Sequence, residues 1–313
     1  MNGRADLRLV SPRAVLEQVA HAIPKDCRAN IIIIGSLAVG YYFFGNDPSL
    51  RVHTKDIDCL LSPRIRALPA GKAVTERLFG EQWTYRVSEE WPSPGDAGTP
   101  NDKLPAVRLN PPGSTEWFVE LLTVPESSAD RKQQFSRLET TAGHFVLPSF
   151  GFLSIPEYHP IPTDFGIFIA RPEMMALAHL LEHPVIGTQT MSTEIAGLIL
   201  KRSNKDLGRV LAIARLSDGP SIENWPVLWV EVLQNKFGDE WRSLALKAGA
   251  GMRQLLAPAN EPDFLEVRHS CEYGLLVSQP PTLDQLRATA ERLFQDAIEP
   301  FEKLAEDPPL LFL

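Results

Sequence analysis

Residues 54–61 read Thr54-Lys55-Asp56-Ile57-Asp58-Cys59-Leu60-Leu61, and this stretch decides the fold class of the first half of the chain. In an extended strand successive side chains alternate faces, so Asp56 and Asp58 project together while Ile57 and Cys59 point the other way. Aspartate is depleted in strands, and two like charges on one face repel. The apolar Cys59-Leu60-Leu61 that follows carries the strand into a core, which sets the carboxylate pair at its mouth. A divalent cation would offset the repulsion. Mg²⁺ favours carboxylate oxygens, keeps several waters and completes its octahedron with substrate phosphates. A solvated pair at a strand start is the plainer alternative.

Upstream, residues 31–34 are four consecutive isoleucines, a pattern that suits a strand buried on both faces. Gly35-Ser36 breaks the run, and residues 37–44 read as a short apolar helix closing at Gly45. A glycine at a strand–helix junction lets the backbone approach a ligand, and the helix start aims free N–H groups at it; many such junctions are purely steric. Downstream, Glu120 stands among apolar residues in the run 116–123, where a carboxylate is costly unless it is paired or metal-bound. On a strand beside Asp56 and Asp58 it would complete a cluster of three carboxylates. Glu116 is the reserve candidate, and a glutamate simply facing water is the alternative.

The remaining punctuation fills in the architecture. Ser11-Pro12 starts a helix with Val15, Leu16, Val19, Ala20 and Ile23 at helical spacing, ended by Pro24. Residues 74–79 close another helix, and 83–88 suit a third strand. Residues 89–103, with Pro92, Pro94, Gly95, Gly98 and Pro100, read as a mobile surface loop. Runs 104–109 and 116–123 flank Pro111-Pro112-Gly113-Ser114 as a hairpin, with further strands at 143–150 and 165–169. After Pro172 helical patterns dominate, at 173–183, 193–215, 224–236 and 283–304. The expected class is α/β (α+β): a mixed-sheet domain over 1–168, then a helical domain over 169–313.

The 313 residues are 44% hydrophobic and 22% charged, proportions that exclude wholesale disorder and fibrous classes. A net charge of −8 repels phosphate on average, so a promiscuous nucleic-acid binder is excluded and any RNA would need a local basic cleft. Cys27, Cys59 and Cys271 form no CxxC pair, which argues against a disulfide framework or a cysteine-built zinc site. The N-terminus lacks the apolar core of a signal peptide, and the isoleucine run is far short of the roughly 20 residues that span a bilayer. The expectation is a cytoplasmic protein with no membrane partner.

Ile34-Gly35-Ser36, a spacer, Asp56-Ile57-Asp58 and a later carboxylate in an apolar strand together resemble the polymerase-β-type nucleotidyltransferases, whose signature is hG[GS], a spacer, Dh[DE]h and a third acidic residue. The resemblance covers about residues 30–125. It implies that Gly35 and Ser36 hold a nucleoside triphosphate such as ATP. It implies that Asp56, Asp58 and Glu120 bind two Mg²⁺ (or Mn²⁺) ions, with Glu120 helping to activate an acceptor hydroxyl on RNA, protein or a small molecule. In the second half, Ala170-Arg171-Pro172-Glu173 opening a helix, then Lys201-Arg202-Ser203-Asn204-Lys205-Asp206-Leu207, is similar to toxin-type nucleotidyltransferases of abortive-infection and toxin–antitoxin systems. That likeness implies phosphate contacts from Arg202 and Lys205, with Asp206 orienting them, and an antitoxin partner. Two positions depart from the family: His179 stands where lysine is usual, and Glu120 where aspartate is commoner. A catalytically weakened fold that binds nucleotide or a partner is therefore the alternative.

A rival pattern lies in the helical half. His179-Leu180-Leu181-Glu182-His183 fits H-x-x-E-H, which places two imidazoles one turn apart with a glutamate able to act as base in a zinc hydrolase. Against it, Pro184 is expected to end the helix at once, and no distinctive third ligand follows. Trp225, Trp229 and Trp241 with Leu228 and Val232 read as the core of this half, and Tyr41 to Phe44 as packing.

Overall fold

In the computed structural model, which describes residues 9–127, 133–187 and 189–306, three helices are interspersed among the early strands of the first half, and seven strands then follow with no α-helix between them among those residues. They are β1 (Leu9–Val10), α1 (Pro12–Ala22), β2 (Ile31–Ile33), α2 (Gly35–Phe44), β3 (Val52–His53), β4 (Asp56–Leu61), α3 (Arg64–Gly80), β5 (Thr84–Tyr85), β6 (Arg108–Asn110), β7 (Phe118–Thr123), β8 (Gln134–Thr140), β9 (Gly143–Ser149), β10 (Ile161–Pro162) and β11 (Phe168–Ile169). Helices α4 to α11 follow. By its contacts the chain divides into two compact units. An α/β unit holds described residues 9–50 and 54–171, and a helical unit holds 51–53 and 172–306.

A seven-stranded mixed sheet in the order β10-β11-β2-β4-β7-β6-β5 organises the α/β unit. β4 runs antiparallel to β2 and parallel to β7, and β7 runs antiparallel to β6. Flanked on both edges, β4 buries Ile57, Cys59, Leu60 and Leu61 completely, which accounts for its apolar run. Helix α3 lies close upon it: a Cβ at Gly71 would stand 3.1 Å from a Leu61 methyl and 3.2 Å from a Leu147 methyl. This helix is longer than its periodicity suggests and runs through Pro69.

β8 and β9 form a separate antiparallel ribbon. β8 was not foreseen, because its residues are mostly half-buried and show no clean apolar alternation. The ribbon also ties down the proline–glycine loop that sequence suggested was free. Gly95 and His144 exchange backbone hydrogen bonds at 3.0 and 2.9 Å. Arg137 donates to the Thr99 and Asp96 carbonyls and to Asn101 Oδ1.

The helical unit contains α4 (Pro172–Ile186), α5 (Arg202–Leu216), α6 (Gly219–Phe237), α7 (Trp241–Ala248), α8 (Ala250–Leu256), α9 (Glu261–Glu272), α10 (Leu283–Leu293) and α11 (Glu299–Glu306). α4 continues through Pro184 to Ile186, contrary to a stop at His183; a proline so near the end removes only one hydrogen bond of the last turn. α5 starts at Arg202 rather than 193, because Ala196 (φ 48°) and Gly197 (φ 82°) take left-handed conformations that no helix accommodates. Trp229 is fully buried at the centre, its indole donating to the Glu173 carbonyl at 2.9 Å and its ring edge-to-face with Phe301. Trp225, Trp241 and Val232 are buried around it, whereas Leu228 is half-buried. Cys27, Cys59 and Cys271 are buried free thiols, and burial pushes the Cys271 thiol up to about 12. No helix among the described residues is long and apolar enough to cross a membrane.

Candidate active site

The strand–glycine–helix junction and the Asp-x-Asp strand meet. β2 and β4 pair with Ile33 opposite Cys59, and the Ile34 N–H donates to the Asp58 carbonyl at 3.0 Å. Gly35 then adopts φ +72°, and a Cβ built there would stand 3.1 Å from Asp58 Oδ2. Glycine is favoured by its left-handed backbone, and a Cβ there would also crowd the Asp58 carboxylate. Gly35 also opens α2, so the first N–H groups of a ten-residue helix begin beside Asp58.

Parallel pairing of β4 with β7 sets Asp58 opposite Glu120 and Asp56 opposite Phe118. Directly paired residues share a sheet face, so Asp56, Asp58 and Glu120 lie on one side. Thr54 Oγ1 donates to the Asp56 carbonyl at 2.9 Å and reaches Asp56 Oδ1 at 3.3 Å. Glu116 is exposed and precedes the strand, with its N–H on Ser114 Oγ.

An arginine that sequence reasoning did not single out completes the face. Arg108 on β6 pairs across the ladder with Glu120, and its Nη2 donates to Glu120 Oε1 at 2.9 Å. Glu120 is only 12% exposed and Arg108 40%. Burial raises the Glu120 carboxyl and nearby Asp56 adds to this; the charge and hydrogen bond of Arg108 offset only part, so the net shift is upward. Burial alone would lower the Arg108 guanidinium, but Glu120, Asp56 and Asp58 together outweigh it and raise it. Its Nε is buried without a hydrogen-bond partner. The only signal for this residue was a basic side chain in a run otherwise apolar around it, which acquires meaning once the β6–β7 register is known.

The oxygen donors of Asp56, Asp58 and Glu120 suit a hard divalent cation such as Mg²⁺. Glu120 is held by Arg108, and Asp58 is the carboxylate set against the Gly35 junction. Asp56, Asp58 and Glu120 do not form a set of donor atoms all within 4.8 Å of one another; among the described residues that geometry belongs to His179, Glu182 and Asp206.

Those three lie in the helical unit, as do Arg202 and Lys205. Arg202 is exposed at the first turn of α5, and Lys205 is half-buried one turn on. Asp206 is buried and turned toward α4: its Oδ1 lies 3.3 Å from His179 Nδ1 and 3.6 Å from Arg209 Nη1. Burial would raise its carboxyl, but His179, Arg209 and Lys205 outweigh that and hold it below its ordinary value. Asp206 therefore contacts His179 and Arg209, with Lys205 acting on it through charge. His183, the second imidazole of the H-x-x-E-H pattern, is not in the three-residue set; its Nδ1 is buried without a partner, and burial lowers its pKa. No protein-family model, curated protein or solved structure matches the chain.

Proposed function

We propose that the α/β unit is a metal-dependent nucleotidyltransferase domain that moves a nucleotide from an NTP to an acceptor hydroxyl. The observation that carries this reading is the Gly35 turn against Asp58: a left-handed glycine opens α2 with the Asp58 carboxylate 3.1 Å from where a Gly35 Cβ would stand. Triphosphate chemistry can use that combination, with N–H donors for the phosphate oxygens and carboxylates for the cation that accompanies them. Asp56 and Asp58 would hold Mg²⁺ or Mn²⁺, and Gly35 and Ser36 would cradle the phosphates. The chemistry a bound ion supplies is neutralisation of the leaving pyrophosphate and a lowered pKa for the acceptor hydroxyl.

Within this reading Glu120 takes the role of third carboxylate, and Arg108 restrains it until the charge of metal and nucleotide arrives. Arg202 and Lys205 remain candidates for phosphate contact, and a toxin-like activity with an antitoxin partner is the corresponding proposal for biology.

The Arg108–Glu120 pair favours one competing reading. A third carboxylate already neutralised by a permanent cation suits a domain that binds nucleotide without turning it over.

The test incubates the protein with each radiolabelled NTP, Mg²⁺ and total cellular RNA or protein, beside an Asp56→Ala/Asp58→Ala variant. Transfer that is lost in the variant supports the enzyme. Transfer surviving in the variant removes the site assignment. Nucleotide binding without pyrophosphate release selects the binding module.

A further inference from the structure

The helical unit carries a second cluster of ligand-type side chains. His179 and Glu182 sit three residues apart on α4, the spacing that stacks side chains on one helix face, and Asp206 reaches them from α5. One donor atom from each residue lies within 4.8 Å of the other two. His179 Nδ1 stands 3.3 Å from Asp206 Oδ1 and 3.9 Å from Glu182 Oε2. Bonds of about 2.0–2.1 Å at tetrahedral angles separate donors by about 3.3–3.5 Å. The His179–Asp206 edge already has that length, the His179–Glu182 edge needs a movement of about half an ångström, and the Glu182–Asp206 edge lies within 4.8 Å.

A second observation points the same way. His179 Nδ1 is buried and faces two carboxylate oxygens, with no hydrogen bond of good geometry to either. Buried polar atoms without partners are uncommon in folded proteins, and a nitrogen lone pair aimed among carboxylates is how a histidine ligand is presented.

We propose that His179, Glu182 and Asp206 form a binding site for a zinc-class divalent transition metal that clamps α4 to α5. The nitrogen donor separates this site from a Mg²⁺ or Ca²⁺ site, since those ions take oxygen ligands while imidazole with carboxylates suits Zn²⁺ and its neighbours. Glu182 serves as a ligand, so it is not the free base that a zinc hydrolase built on H-x-x-E-H would require. Arg209, 3.6 Å from Asp206 Oδ1, balances part of the charge of the two carboxylates. Three protein donors leave one position for water or an outside ligand. The proposal is independent of nucleotidyl transfer and uses none of the α/β unit's carboxylates.

The experiment strips the full-length protein with a chelator and titrates it with Zn²⁺ by calorimetry, with Co²⁺ absorption as a second probe. The expected result is one zinc per chain, a rise in melting temperature on zinc addition, and a visible Co²⁺ spectrum with nitrogen ligation. His179→Ala and Glu182→Gln should each weaken binding at least tenfold and abolish the melting shift, with folding checked by circular dichroism. The Asp56→Asn/Asp58→Asn variant should bind zinc as the native chain does. Failure to take up one zinc at micromolar concentration, or unchanged binding in the Glu182→Gln variant, would reduce the cluster to a His179–Asp206 ion pair and overturn the proposal. Loss confined to the Asp56→Asn/Asp58→Asn variant would do the same by moving the zinc to the sheet.

Discussion

On the sheet, Asp58 and Glu120 are neighbours across a parallel ladder, and the charge facing them is the guanidinium of Arg108. Between α4 and α5, Glu182 and Asp206 face an imidazole, and the Arg209 guanidinium stands 3.6 Å from Asp206 on its own helix. A guanidinium is permanently charged and has no lone pair to offer, so a metal at the sheet must compete with Arg108 or be held by Asp56 and Asp58 alone. A neutral imidazole contributes a lone pair and becomes a ligand. On the two proposals the clusters would take different cations: a hard ion with phosphates on the sheet, and a borderline transition metal between the helices.

The largest expected effect separates the two sites by function. Asp56→Ala/Asp58→Ala should lower nucleotide transfer by at least about 10³-fold, about 4 kcal/mol of transition-state stabilisation, while zinc binding is unchanged. A parallel fall in both would mean the sites are not separate.

Next comes a comparison of the two cores. Trp229→Ala removes a fully buried indole and its hydrogen bond to Glu173, at a cost of about 3–5 kcal/mol. Hydrogen exchange should lose protection in α4, α6 and α11 while β2, β4 and β7 keep theirs. Uniform loss over the chain would show that the units unfold as one.

A smaller effect probes the guanidinium itself. Arg108→Ala leaves Glu120 buried beside Asp56 without its counter-charge, and because Arg108 is partly exposed the expected cost at neutral pH is about 1–3 kcal/mol. The folded pKa of Glu120 is raised, so any stability linked to it is present below the ordinary value of 4.5 and lost as pH rises through the folded pKa. The deficit of the variant in urea melts should therefore shrink as pH falls toward 4.5. A constant deficit would mean that Arg108 contributes packing rather than charge.

The smallest effect concerns the link that holds the start of α5. Asp263 on α9 accepts from Lys201 Nζ at 2.6 Å and from Asn204 at 3.0 Å. Burial pushes its carboxyl up, but those bonds and the Lys201 charge outweigh it, and the net shift is downward. A depressed pKa stabilises above the ordinary value of 3.8, and that contribution disappears as pH falls through the folded value. Asp263→Asn should cost about 1 kcal/mol at pH 7 and nothing in strong acid, read from melting curves at each pH.

Most of the α/β unit was legible because its signals are local. The strand at Asp56–Leu61, the break at Gly35 and the hairpin around Pro111 each follow from alternation or turn chemistry within a few residues. The ribbon strand β8 and the helices α7 to α9 were not legible. The first lacks alternation, α7 and α8 are only eight and seven residues long, and α9, though twelve residues long, is punctuated by Pro258 and Pro262 at its start. The proline–glycine loop misled for a related reason: composition reports turns, while Arg137, forty residues away, holds the loop in place.

At the sites the division is the same. Sequence alone determined that Asp56 and Asp58 share a face, that a glycine stands at the start of α2, and that His179 and His183 lie one turn apart on one face of α4, because side-chain direction along one element follows from its own backbone period. Tertiary structure alone decided that Glu120 lies beside Asp58, that Arg108 claims Glu120, and that Asp206 rather than His183 joins His179. Register between strands and contact between helices depend on the whole fold. A shift of one residue in strand register would have turned the sheet carboxylates to the opposite face, and one residue along a helix would have rotated a side chain by about 100°.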